Sequence, residues 1–100
     1  MERGDIWTID PLDHPKARPA VIVSVNPWNE HARDVILVPL TTKQGPSRPQ
    51  VSHGNLKTTS YAKCGSVSAI PKERLRQKIG RVASDQMSGI ERELRRLMSL

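Results

Sequence analysis

Apolar and polar positions alternate in short runs along most of this chain and take up a helical period only near its C-terminal end. Gly4 to Ile9 (G-D-I-W-T-I) sets aromatic and β-branched residues ahead of Pro11 and reads as a strand. Asp10 to Ala17 holds two prolines and no period, so a loop is expected there. Arg18 to Val25 (R-P-A-V-I-V-S-V) is rich in Val and Ile and fits a buried strand. Asn26 to Arg33 sets Pro27 among polar residues and reads as a turn or a longer hairpin loop. Asp34 to Thr41 (D-V-I-L-V-P-L-T) is a further strand. Its Pro39 cannot donate to a ladder, which puts that end at a sheet edge or a bulge.

Thr42 to Pro49 (T-K-Q-G-P-S-R-P) is a loop by every signal. Gln50 to Tyr61 has a weak pattern with room for short strands. Ala62 to Ile70 reads as a strand carrying Cys64 and Val67, and Pro71 then opens a helical turn, P-K-E-R-L. Lys78 to Val82 fits a final strand. Ser84 is the expected N-cap of a helix, with Asp85 in its first turn. From there Met87, Ile90, Leu94, Leu97 and Met98 recur at intervals of three and four, an amphipathic helix whose other face carries Glu91, Arg92, Arg95 and Arg96. Several short strands followed by one helix predict a mainly β fold, a small barrel with the helix packed on it. With 100 residues and no repeats, residues 1–100 are expected to form one domain.

Composition narrows the setting. No apolar run exceeds four residues, so no segment spans a bilayer as a helix. No apolar stretch follows Met1-Glu2-Arg3-Gly4-Asp5, so no secretory signal peptide is expected. Cys64 is the single cysteine, and no Cys/His spacing suits a structural zinc site. A reduced, cytoplasmic protein without cofactor is expected. The net charge of +6 is uneven. Residues 1–50 hold six basic and six acidic side chains, whereas residues 51–100 hold ten and four, so the whole excess lies in the second half. A polyanionic partner, nucleic acid first, accounts for such a balance; a solvated basic surface accounts for it equally.

The chain has no glycine-rich phosphate loop and no H-E-x-x-H, and His14, His31 and His53 are spread over loops. Cys64 in an apolar strand reads as a small core residue rather than a nucleophile. What remains is a chemistry of cations and hydroxyls. Arg18 opens a strand, Thr41 and Thr42 close another, and Lys63 sits in a third. Were those strands neighbours, guanidinium, ammonium and hydroxyl groups would converge on one phosphate, the arginine fork taking two of its oxygens. The plain alternative is a strand-end cation, edge-strand threonines and a solvent-facing lysine.

R-G-D-I-W at Arg3 to Trp7, R-P-A-V-I-V-S at Arg18 to Ser24, V-P-L-T-T at Val38 to Thr42 and K-x-R-L-x-x-K-I-G-R-V at Lys72 to Val82 occur in an order that resembles the MazF/PemK family of toxin–antitoxin endoribonucleases. The terminal E-R-E-L-R-R-L-M-S-L is similar too, so the resemblance runs through nearly the whole chain. It implies an SH3-like barrel of the MazF/CcdB type with a C-terminal helix, assembled as a homodimer. It implies metal-independent cleavage of single-stranded RNA, restrained by an acidic antitoxin whose disordered tail occupies the RNA groove. Carried over by residue, the catalytic arginine falls on Arg18 and the hydroxyl on Thr41. His14, Lys16, Thr42, Lys43, Arg48, Lys63 and Ser66 are the expected RNA-binding positions.

Two departures stand out. The loop before the arginine, commonly G-x-E-Q-x-G-x-R-P, is shortened here to D-H-P-K-A-R-P, without the glutamate. Where many members read C-D-Q, this chain reads C-G-S at Cys64 to Ser66, so an acidic group is missing at Gly65. A catalytically weak member that binds RNA or antitoxin is therefore the second reading. A topoisomerase poison of a related lineage is a third, against which the Arg18 and Thr41 match speaks.

Overall fold

The computed structural model describes residues 1–10 and 18–100. Seven strands and two helices follow in the order β1 (Asp5–Ile9), β2 (Arg18–Ile22), α1 (Asn26–His31), β3 (Asp34–Thr41), β4 (Gln50–Val51), β5 (Ser60–Ala62), β6 (Ser68–Pro71), β7 (Leu75–Arg81) and α2 (Ser84–Met98). The strands form one curled, half-barrel sheet in the order β4-β5-β3-β2-β1-β7, with β6 paired to the first half of β3. All the pairings are antiparallel. The fold is mainly β with one long C-terminal helix, as the pattern predicts. Among the described residues no helix is long and apolar enough to cross a membrane.

Both faces of the central strands are buried, which is why R-P-A-V-I-V reads as a continuous apolar run. Ile6, Val21, Val38 and Leu40 face one side, where Met87 and Ile90 of α2 close the core. Ala20, Ile22, Val35 and Leu37 face the other, against Ile70, Trp7 and Leu75. The α2 stripe is only partly used. Met87 and Ile90 are buried, whereas Leu97 and Met98 lie exposed.

Three expectations are corrected. Asn26 to Arg33 is not a loop but contains α1, with Pro27 in its first turn and its buried Asn29 donating from Nδ2 to the Ser24 carbonyl at 2.8 Å. Ser24 Oγ in turn accepts from the Ile36 amide at 3.1 Å, tying that helix to β3. Ala62 to Ile70 is not one strand: a 3₁₀ turn over Cys64–Ser66 divides β5 from β6. Pro39 marks that division. Its carbonyl accepts from the Lys63 amide at 2.8 Å, at the point where the neighbour of β3 changes from β6 to β5. Finally, Ala83 and not Ser84 caps α2, without a side-chain bond, and Ser84 is the first helical residue.

The closing edge between β1 and β7 carries a buried carboxylate. Asp5 is 1% exposed and pairs with Arg81 at 3.0 Å and Lys78 at 3.4 Å. Burial alone raises its pKa, but the Glu2 amide and the Lys78 charge outweigh that and hold the carboxyl below the ordinary aspartate range. Gly4, just before it, has φ of +92°, which favours glycine in this turn.

Candidate functional site

The strand register assembles the site. In the β2–β3 ladder Ala20 faces Pro39 and Ile22 faces Leu37. Continued by two residues, that register sets Arg18, at the start of β2, opposite Thr41, at the end of β3. On the far side of β3, Thr41 faces Tyr61 of β5, and Tyr61 faces Gln50 of β4. Directly opposed residues of antiparallel strands share a face, with Cβ atoms about 4.5–5.5 Å apart. Thr41, Tyr61 and Gln50 therefore form a row across three strands, and Arg18 lines the same groove as Thr41. Their neighbours Leu40, Val51 and Ala62 point the other way, into the core.

At this end of the sheet lies an open groove of about 810 Å³. Arg18, Thr41, Thr42, Lys43, Arg48 and Lys63 all line it. Thr41 Oγ1 accepts from the Lys43 amide at 3.3 Å, which leaves its own hydrogen for another acceptor. Arg48 donates from Nη1 to the Lys43 carbonyl at 3.1 Å, folding the 42–49 loop over itself. That loop is also braced by α2. Ser47, at a left-handed φ of 56°, is bonded through Oγ to the Arg96 guanidinium. The same guanidinium holds the Glu93 carboxyl below the usual range.

The opposite wall comes from residues 52–59, which sequence reasoning left without a role. Asn55, Lys57 and Thr58 line the groove, with Ile79 of β7. The loop is docked on β7: Asn55 Nδ2 donates to the Ile79 carbonyl at 2.6 Å, and His53 Nδ1 accepts from the Asn55 amide at 3.0 Å. The His53 ring lies against Gly80 so closely that a Cβ there would fall 2.4 Å from ring atoms. The only signal for this wall in the sequence is the polar run K-T-T-S at Lys57 to Ser60.

Ser66 is not among the groove residues, since the 3₁₀ turn carries it off the sheet. His14 and Lys16 lie outside the described residues. Cys64 is fully buried, and burial, with the Glu93 charge behind it, pushes its thiol up to about 11, so it stays protonated and unreactive at neutral pH. Charge is distributed differently from the sequence halves. Arg18, Lys43 and Arg48 come from the neutral half and Lys57 and Lys63 from the basic one. No carboxylate or imidazole is among the described residues lining the groove.

The chain is similar to known proteins along almost its full length. The family model described as PemK-like, MazF-like toxin of type II toxin–antitoxin system matches residues 2–98. A mycobacterial endoribonuclease solved in complex with its cognate antitoxin is 28% identical, with a TM-score of 0.87 over 100% of this chain and 96% of that one. A second mycobacterial endoribonuclease structure is 27% identical, with a TM-score of 0.84 over 100% and 92%. The Mycobacterium tuberculosis toxin MazF-mt6, 23% identical, shares the fold with a TM-score of 0.83 over 96% and 97%.

Proposed function

The chain belongs to the PemK-like, MazF-like toxin family of type II toxin–antitoxin systems, and from that premise we propose that it is an endoribonuclease cutting single-stranded RNA without a metal. The observation that carries this reading is that Arg18 and Thr41 line one groove together with Lys43, Arg48, Lys57 and Lys63. Phosphates of a single strand run along such a groove, and the pair faces one of them. The 2′-hydroxyl attacks that phosphorus in line. A bond forms from O2′ to phosphorus and the bond to O5′ breaks, the O2′ proton passing to solvent water and the departing O5′ gaining one, which leaves a 2′,3′-cyclic phosphate and a 5′-hydroxyl.

Arg18 stabilises the charge that grows on the non-bridging oxygens and can donate a proton to the leaving O5′. Its pKa above about 12 makes it a poor base, so charge stabilisation is its main part. Thr41, whose oxygen already accepts from Lys43, turns its hydroxyl hydrogen to a non-bridging oxygen. The described residues gather no group of three His, Cys, Asp or Glu side chains around a cation site. We further propose that the protein works in the cytoplasm as a homodimer and that an acidic antitoxin segment restrains it by covering the same cations. The mycobacterial endoribonuclease solved with its antitoxin supports the partner class.

The second reading, a weak catalyst that mainly binds, is favoured by one observation: the described groove residues include no carboxylate or imidazole to take the 2′-hydroxyl proton. One assay tests both readings. Labelled RNA is incubated with protein in excess chelator and the new ends are mapped. Cyclic phosphate and 5′-hydroxyl ends are expected; no cleavage in chelator, restored by a divalent ion, sinks the mechanism. Gly65→Asp runs beside the wild type. A Cβ at Gly65 meets nothing within 4 Å, so the carboxylate is accommodated. A severalfold faster cut at neutral pH with an altered pH profile is expected if the missing acid limits the rate. An unchanged profile means that position plays no part.

A further inference from the structure

A second hollow, of about 620 Å³, opens beside the groove between Gln44, Gly45, Arg48, Gln50 and Tyr61. Arg48 lines both spaces. Tyr61 is the single tyrosine of a chain without phenylalanine. Its place on β5 sets it on the outward face next to Thr41, while Ser60 and Ala62 on either side of it are buried. The ring is half-buried and its Oη accepts from Gln44 Nε2 at 2.9 Å, so it is held at the rim rather than absorbed into the core. The Arg48 guanidinium is pinned as well, by its bond to the Lys43 carbonyl and by close packing on Gly45, where a Cβ would sit 3.1 Å from it. Only one of its five N–H donors is spent on Lys43.

A fixed aromatic ring, a pinned guanidinium and a cationic groove one strand away match the two chemistries of a single strand. Cations take the backbone, and aromatic faces take the bases. We propose that this hollow is a nucleobase subsite flanking the reacting phosphate: the adjacent base stacks on Tyr61 while Arg48 holds the phosphate between base and cut. The assignment rests on the RNA-cleaving reading and deepens it by naming where the neighbouring nucleotide binds. Every base offers a π face, so the subsite adds affinity for any nucleotide instead of selecting one.

The test measures binding of two short oligomers of equal length, 2′-O-methyl oligouridylate and its base-free 2′-O-methyl ribose-phosphate counterpart. Neither offers the attacking hydroxyl, so binding is read without cleavage. Wild type, Tyr61→Phe and Tyr61→Leu are compared after thermal melts establish that each is folded. Wild type and Tyr61→Phe should prefer the base-bearing oligomer equally. Tyr61→Leu should lose roughly 5- to 100-fold for the base-bearing oligomer, the scale of one base–aromatic stack, and nothing for the base-free one. Equal binding of both oligomers by wild type, or an equal loss on both in Tyr61→Leu, overturns the subsite alone. Should the leucine variant not fold, the wild-type preference and its retention in Tyr61→Phe decide the matter. Failure of wild type to bind either oligomer at low salt overturns the RNA reading and the subsite with it.

Discussion

The groove is built from strands and from loops in different ways. Arg18 and Thr41 stand on β2 and β3, whose ladder is buried on both faces. The middle residues of those strands are packed into the core on both faces, which anchors the backbone that carries the two side chains. Lys43, Arg48, Asn55 and Lys57 stand on loops, each fixed by a few side-chain bonds: Arg48 to the Lys43 carbonyl, Ser47 to Arg96, Asn55 to the Ile79 carbonyl. The contrast suggests a division of labour. On the proposed mechanism the group that meets the transition state sits on a strand, where small displacements would be costly, and the groups that gather the polymer sit on loops, where sequence can vary.

The largest expected effect attacks the strand-borne part. Arg18→Ala should cut kcat by about 100-fold or more, the scale for losing one preorganised charge-stabilising donor. Its melting temperature should stay close to the wild type, since Arg18 is an exposed strand end. A folded variant that cleaves at the wild-type rate breaks the comparison. A smaller effect comes from loosening the docked loop. Gly80→Ala pushes the His53 ring from its seat, and because a loop side chain can swing away the melting temperature should fall only slightly. RNA binding should weaken with it through KM, with kcat nearly preserved. A fall in kcat equal to that of Arg18→Ala would show that the loop belongs to the chemistry. The smallest effect is on charge alone. Lys43→Ala should weaken RNA binding severalfold at low salt and reduce the slope of log affinity against log salt by about one. An unchanged slope would remove Lys43 from the list of phosphate contacts.

What the sequence revealed divides along the same line. β3 was readable to its end residues because an unbroken apolar run is bounded by polar residues at Asp34 and Thr41. The break at Cys64–Ser66 was not, since the residues that turn there are as compatible with a strand and only the handover at Pro39 requires a turn. Helix α1 escaped notice because its six residues carry no apolar period, and its anchor is a polar pair, Ser24 and Asn29. Arg18, Thr41 and Lys63 are recognisable in the sequence as strand-borne groups that converge if their strands are neighbours, but spacing alone does not make the strands neighbours; the fold brings all three to one groove. The 52–59 wall and Tyr61 were missed for a related reason: docking on β7 and pairing with Thr41 create their position. Net charge by halves does not locate the groove: of the five cations among its described lining residues, three come from the neutral half.

The bracing of the loops by α2 has a consequence for the order of synthesis. Arg96 holds Ser47, and Gln86 pairs with Ser52 through a bond of 3.0 Å to its Oγ, so two segments of the groove depend on a helix that is translated after every strand. Met87 and Ile90 also complete the core beneath Leu40. A ribosome-bound chain that has released all seven strands but not α2 therefore lacks both the seal on its core and the struts of its loops. Chains emerge N-terminus first at about 5–20 residues per second. A host making this protein thus has an interval, between the last strand and the last turn of the helix, in which the chain is present and the groove is not yet built.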